Sequence, residues 1–274
     1  MVLLSSGTPL VAAHRGTAGG NIPCNSLAAY KAALRQGADI IELDVTASRD
    51  GKLFCFHPTM EPAHLLTLVP LCLISQKQIE KMRYHNYDLA RTKERVLPLD
   101  DAFDFLKNKC LINIDKFWMN PALITNCIRR HGLEEQVIIK TPNAEKHFEA
   151  IECLAPDLAF MPVVRETDNV SRLLMKRRLN FVGIEAVFRT ETAQVISDEN
   201  IGFLHKNKLA VWGNAIVYNI KDVIAAGHTD DVAMTVDPDY GWGWFKEKKF
   251  DIIQTDWVLP LRQYLGKTDV RERN

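Results

Sequence analysis

Short, almost wholly apolar segments recur along this chain, and each is followed by a less regular or helically spaced stretch. They are PLVAAH (9–14), DIIELDVTAS (39–48), CLINIDKF (110–117), QVIIKT (136–141), LAFMPVV (158–164), FVGIEAVF (181–188), LAVWGNAIV (209–217) and FDIIQTDWV (250–258). Strands without in–out alternation are buried on both faces, as in a parallel sheet covered by helices. Eight strand–helix beats in about 250 residues predict a (β/α)8 TIM barrel. An open doubly wound sheet is the alternative, but no Gly-rich dinucleotide fingerprint supports it.

Between the strands, NSLAAYKAALRQG (25–37) offers Asn25 or Ser26 to cap a helix and Gly37 to stop it. ISQKQIEKMRYH (74–85), DDAFDFLKNK (100–109) and NVSRLLMKRRL (169–179) also read as helices. Asp50-Gly51 turns the chain into KLFCFH (52–57), a hairpin extension of the second strand. Residues 58–97 are too many for a plain βα connection. The expectation is one barrel domain over residues 1–274, with 58–97 a small insertion after the second strand, lying over the barrel mouth.

Thirty-four basic and thirty-four acidic side chains cancel, so nothing in the balance suggests a nucleic-acid partner or a charged membrane surface. No run approaches the roughly 20 apolar residues of a membrane helix. MVLLSSGTPLVAAHRG has no basic start and too short an apolar stretch for a signal peptide. The six cysteines form no CxxC or zinc-like spacing. The reading is a reduced, cytoplasmic protein without an integral membrane segment.

Barrel active sites sit at the C-terminal ends of the strands. Those ends carry His14, Glu42 with Asp44, Asp115, Lys140, Glu185, Trp212 and Asp256, and the hairpin adds His57. Glu42 and Asp44 are two apart on a strand and share a face. Two adjacent carboxylates repel unless a cation lies between them. Asp115 on the adjacent strand completes an oxygen-rich set that suits Mg2+ or Ca2+ better than Zn2+. His14 and His57 suit a general acid and base near neutral pH, and Arg15 suits phosphate oxygens. Together these groups point to phosphodiester cleavage.

HRG (14–16), PCNSLAAYKAALRQGAD (23–39), IELDV (41–45), the Asp50-Gly51 turn and His57 keep one order and spacing. That set resembles the glycerophosphodiester phosphodiesterase family, whose run is HRG, PENT, GAD, IExDV, DG, HD. LPLDDAFDFLKN, LINIDK, VWGN and DIIQTD are similar to later family segments. The resemblance implies a (β/α)8 barrel, a divalent metal (Mg2+ or Ca2+) and two histidines acting as acid and base. The substrate it implies is a small-molecule glycerophosphodiester, cleaved to glycerol 3-phosphate and an alcohol through a cyclic phosphate made by the substrate's own 2-hydroxyl. Carried onto this chain, His14 and His57 are the acid–base pair, Arg15 a phosphate ligand, and Glu42, Asp44 and Asp115 the metal ligands. Two alternatives remain open: a phospholipase-D-like lyase acting on lysophospholipids, and a non-catalytic barrel that binds phosphodiesters.

The chain departs from the family at several points. Cys24 stands where PENT has Glu, Pro58 follows His57 in place of Asp, and Asp115 replaces the commoner Glu. The family's Lys two residues beyond that carboxylate is Phe117 here. Strand alternation points Lys116 away from Asp115, which leaves Lys140 as the candidate phosphate contact. Glu185 reads as a substrate-hydroxyl acceptor or as a buried partner of a lysine. Trp212 reads as a floor to the site or as core. DYGWGWF (239–245) reads as a hydrophobic plug or as a grip for a trimethylammonium group. His64, His85, His131, His147, His205 and His228 are expected on the surface, without partners.

Overall fold

The computed structural model describes residues 3–5, 7–217 and 221–267. Eight parallel strands form its centre: β1 (Leu10–Ala13), β2 (Ile40–Ala47), β3 (Leu111–Asp115), β4 (Val137–Pro142), β5 (Ala159–Arg165), β6 (Gly183–Val187), β7 (Ala210–Asn214) and β8 (Ile252–Thr255). Each pairs with the next in parallel, and β8 returns to β1, so the sheet closes into the expected TIM barrel. Both faces of the sheet are covered, which is why the strands carry no polar alternation along most of their length.

Register separates the barrel interior into two layers. Ala12, Ile40, Ile138, Ala159, Met161, Ala210, Trp212 and Ile252 pack together as an apolar floor. Two residues further along β2 and β4 the inward positions are Glu42 and Lys140, and β7 and β8 continue to Asn214 and Gln254. The outward faces, among them Ile41, Leu43, Ile112, Ile114, Ile139 and Val211, pack against the surrounding helices. The helix Leu27–Arg35 begins at Ser26, whose Oγ accepts from the Ala29 N–H at 3.2 Å. Ser26 is therefore the cap, and Asn25 is released for other work.

The hairpin after β2 is present as Leu53–Cys55, antiparallel to β2. Residues 74–85 depart from the helical expectation. Only Gln76–Ile79 is helical, and Arg83–His85 instead pairs antiparallel with Arg91–Arg95. The cause is a separate small core, in which Ile79, Tyr84 and Val96 bury against Phe54, Phe56, Leu65 and Leu71. An extended segment delivers Tyr84 to that core. Residues 169–179 shrink to the single turn Ser171–Leu174. Val170 and Leu174 are buried by that turn, and Arg177 then reaches the Glu152 carboxylate at 2.9 and 2.7 Å.

Candidate active site

β2 and β3 set the carboxylates. They run parallel with Asp44 beside Asp115 and Glu42 beside Asn113. One oxygen from each of Glu42, Asp44 and Asp115 lies within 4.8 Å of the others. Glu42 and Asp44 are buried, and Asp44 Oδ1 has no hydrogen-bond partner. A buried carboxylate oxygen without a hydrogen bond, close to two further carboxylates, is a donor set that fits a hard divalent cation. Burial, and then repulsion from Asp44, push the Glu42 carboxyl up to about 7. Burial would also raise Asp44, but Arg15, Lys116 and His57 around it hold it below the usual carboxylate range.

The loop after β1 is shaped to bring its polar groups to this cluster. Arg15 has φ of 57° and Gly16 of 80°. A Cβ on Gly16 would lie 2.7 Å from the Ala29 carbonyl carbon, so only glycine lets the loop pack against its helix. The turn aims the Arg15 N–H at Glu42 Oε2, 2.9 Å away, and puts Arg15 Nε 2.9 Å from Asp44 Oδ2 without an aligned hydrogen bond. Asn25 clamps Asp44 from the other side. Its Nδ2 donates to Asp44 Oδ2 at 2.9 Å, and its Oδ1 accepts from the Asp44 N–H and the Tyr30 hydroxyl at 3.2 Å each. The sequence reading gave Asn25 no such role; its left-handed φ of 54° is a backbone cost that a capping role did not require.

His14 and His57 open on the same cavity. His14 Nδ1 is 2.9 Å from Asp256 Oδ1, and burial that disfavours the imidazolium is outweighed by that bond, so its pKa is raised. His57 Nε2 is 4.0 Å from Asp44 Oδ1, and burial lowers its pKa. The two histidines are thus driven in opposite directions.

Lys116 overturns the alternation argument. Its φ of 61° ends the strand pattern at Asp115, so its Nζ swings back to 2.7 Å from Asp115 Oδ2 and 3.8 Å from Asp44 Oδ1. Phe117, in the place of the family's lysine, is fully buried against the helices. Lys140, by contrast, is buried and paired with Glu185, with its Nζ 3.8 Å from the centre of the Trp212 ring and 3.4 Å from Gln254 Oε1. Glu185 also accepts from Asn214 Nδ2 at 2.7 Å. Trp212 lies wholly buried beneath this pair, donating from Nε1 to Gln254 Oε1 at 3.0 Å, and it does not line the cavity.

The cavity itself is about 730 Å³ and is walled by His14, Arg15, Glu42, His57, Asp115 and Lys116 on one side. Lys140, Glu185, Asn214 and Gln254 wall the other side. A second cavity of about 740 Å³ adjoins it across His14 and Arg15, with Ile22, Met60, Leu89, Trp257 and Leu259 among its walls. The first is rich in charge; the second mixes those apolar walls with polar ones, among them Gln36, His64, His85, Asn86 and Asp256.

Residues 160–265 match a family model described as a domain of unknown function. The chain is 52% identical over 142 residues to a glycerophosphodiester phosphodiesterase of Caldanaerobacter subterraneus, covering 49% of this chain and 58% of that one. It is 50% identical over 52 residues to a probable glycerophosphodiester phosphodiesterase 1 of Mycobacterium tuberculosis, 19% of each chain. Over these stretches the chain is similar to glycerophosphodiester phosphodiesterases. It spans from a fifth to just over half the length of these curated relatives. Solved glycerophosphodiester phosphodiesterase structures share its fold at low identity. One from Parabacteroides distasonis superposes with a TM-score of 0.77 at 16% identity, over 97% of this chain and 89% of that one. An Oleispira antarctica phosphodiesterase, solved in complex with the product sn-glycerol-3-phosphate, gives 0.65 at 15% identity over 96% and 98%.

Against the glycerophosphodiester phosphodiesterase pattern, Cys24 is half-buried, with Sγ 3.8 Å from His64 Nε2, and burial pushes its thiol up to about 11. A thiol that holds its proton is a poor nucleophile. The aromatic segment 239–245 lines neither cavity. Trp242 and Phe245 are buried, and Trp244 stacks on His228 at 4.1 Å, so the segment packs the core as a plug. The other histidines are not bare surface groups. His228 is fully buried between Tyr240 and Glu191, His205 pairs with Asp251, and His131 bridges Asp100 and Asp104.

Proposed function

We propose that this protein is a metal-dependent phosphodiester hydrolase that cleaves glycerophosphodiesters to glycerol 3-phosphate and an alcohol. The observation that carries the reading is the convergence of His14, His57, Arg15, Glu42 and Asp115 on one cavity, with Asp44 buried beside the two carboxylates and its Oδ1 without a hydrogen bond. Glu42, Asp44 and Asp115 would hold Mg2+ or Ca2+, which supplies neutralisation of charge on the phosphoryl oxygens. Arg15 donates N–H groups to the same oxygens. His14 and His57 divide the proton work, one taking the proton of the attacking hydroxyl and the other protonating the departing alcohol. The attacking group is the substrate's own 2-hydroxyl, whose proximity to phosphorus removes an entropic barrier and gives a cyclic phosphate for water to open. Glu185, at the cavity wall, accepts a substrate hydroxyl, and Lys140 and Asn214 fix its carboxylate. Trp212 supports Lys140 from below.

All six cysteines are free thiols, which supports a reducing, cytoplasmic setting. Among the described residues no helix is long and apolar enough to cross a membrane. Residues 58–97 contribute Met60, Ala63, His64, His85, Tyr87 and Leu89 to the second cavity, which supports an insertion over the mouth.

The apolar part of that second cavity favours one competing reading. The insertion also exposes Leu66, Leu68, Val69 and Leu73, a surface suited to an acyl chain, so a lyase acting on lysophospholipids is the alternative. Phosphorus NMR decides between them, using glycerophosphocholine, glycerophosphoethanolamine, glycerophosphoinositol and a lysophospholipid, each with Mg2+, Ca2+ or a chelator. Metal-dependent glycerol 3-phosphate supports the hydrolase. A persistent cyclic phosphate from the lysophospholipid replaces it with the lyase, and metal binding without any product points to a non-catalytic barrel.

A further inference from the structure

We propose that Asp256 is a positioning residue for His14, held in place by Asp230 and Trp242; this rests on the reading above in which His14 transfers a proton. Two successive residues at the end of β8 grip the histidine. The His14 N–H donates to the Thr255 carbonyl at 3.1 Å, and Nδ1 meets Asp256 Oδ1 at 2.9 Å. A backbone bond and a ring bond from one dipeptide leave the imidazole little freedom. With Nδ1 committed, Nε2 makes no hydrogen bond among the described residues and is the nitrogen left for substrate. An imidazole fixed at one nitrogen by a carboxylate has a set tautomer and a set direction at the other.

Asp256 is half-exposed, so its own position needs a cause. Its N–H donates to Asp230 Oδ2 at 2.8 Å. Asp230 is buried, and its Oδ1 accepts from Trp242 Nε1 and Thr255 Oγ1 at 2.7 Å each. Its N–H donates to the Ala215 carbonyl, beyond β7. Trp242 is in turn packed within the plug 239–245. That aromatic segment lines neither of the two cavities described, yet it supplies the donor that seats Asp230, and through it the carboxylate behind His14. The chain of contacts runs from buried tryptophan to reacting nitrogen without touching the proposed metal ligands.

The test combines side-chain nitrogen NMR with a mutant cycle on the full chain. In the wild type, the His14 nitrogen shifts should report a proton on Nδ1; Asp256→Asn should disturb that tautomer. On glycerophosphocholine, Asp256→Asn should lower kcat by about tenfold or more with KM little changed. In a His14→Ala background the same substitution should change the rate by no more than about twofold, because the two residues act as a unit. Trp242→Phe, which keeps an aromatic ring but removes the indole N–H donor, should give a smaller kcat loss that also vanishes without His14. An equal loss with and without His14, or an unaltered tautomer and kcat in Asp256→Asn, would overturn the proposal. The tautomer is read without substrate. A wild-type chain that turned over nothing would therefore sink the reading of activity, and the nitrogen shifts would still decide whether Asp256 sets His14.

Discussion

At Gly16 the backbone sits at φ of 80° with the Ala29 carbonyl carbon 2.7 Å from where a Cβ would be. Gly16→Ala should therefore destabilise the fold by about 2 kcal/mol or more, read as a lowered denaturant midpoint; an unchanged midpoint would mean the loop has room that the geometry denies. His57 has a different kind of constraint. It lines the cavity and its Nδ1 is buried without a partner, so removing it costs little structure. His57→Ala should lower turnover by roughly 10²-fold or more at near-constant melting temperature, and a near-normal rate would remove it from the chemistry. Residue identity made both histidines, Arg15 and the carboxylates legible in the sequence. It did not make Lys116 legible, because alternation assumes a strand that continues, and a single left-handed residue reverses the side chain. Asn25 was hidden for a related reason: capping and clamping use the same residue type, and only the Ser26 cap settles which one Asn25 does.

At the scale of elements, the β2–β3 register is what turns three separated carboxylates into one site. Asp115→Asn should weaken Mg2+ or Ca2+ in a calorimetric titration while the fold holds, and an unchanged isotherm would strike Asp115 from the ligand set. The same site predicts a pH dependence. Glu42 is raised to about 7, so below that pH it carries a proton that a cation must displace. Apparent affinity should climb with pH, by up to about tenfold per unit, and level off above 7; a flat profile from pH 5.5 to 8.5 would show that Glu42 does not ligate. The strand elements were readable because buried parallel strands are apolar runs bounded by turns. The excursion after β2 was not. Its helical-looking 74–85 became one turn and a strand, because a local core around Phe54, Phe56 and Tyr84 outweighed the helical spacing.

For the molecule as a whole, closure of the sheet gathers the site. β2 to β8 each send a polar side chain into one charged cavity, the loop after β1 adds His14 and Arg15, and the apolar layer below leaves those groups no other place to meet. The barrel was legible from eight beats alone. The second cavity was not, since its walls come from residues as far apart as Ile22, Leu89 and Leu259 and no local pattern links them. What the closed barrel is proposed to do is hydrolyse glycerophosphodiesters with a divalent ion. The most direct test is the rate of glycerol 3-phosphate release from glycerophosphocholine as Mg2+ or Ca2+ is added back to chelator-treated protein. The account predicts a rate near zero in chelator that rises to saturation with one of the two ions. Product formation that ignores the chelator, or no product at saturating metal, would contradict it.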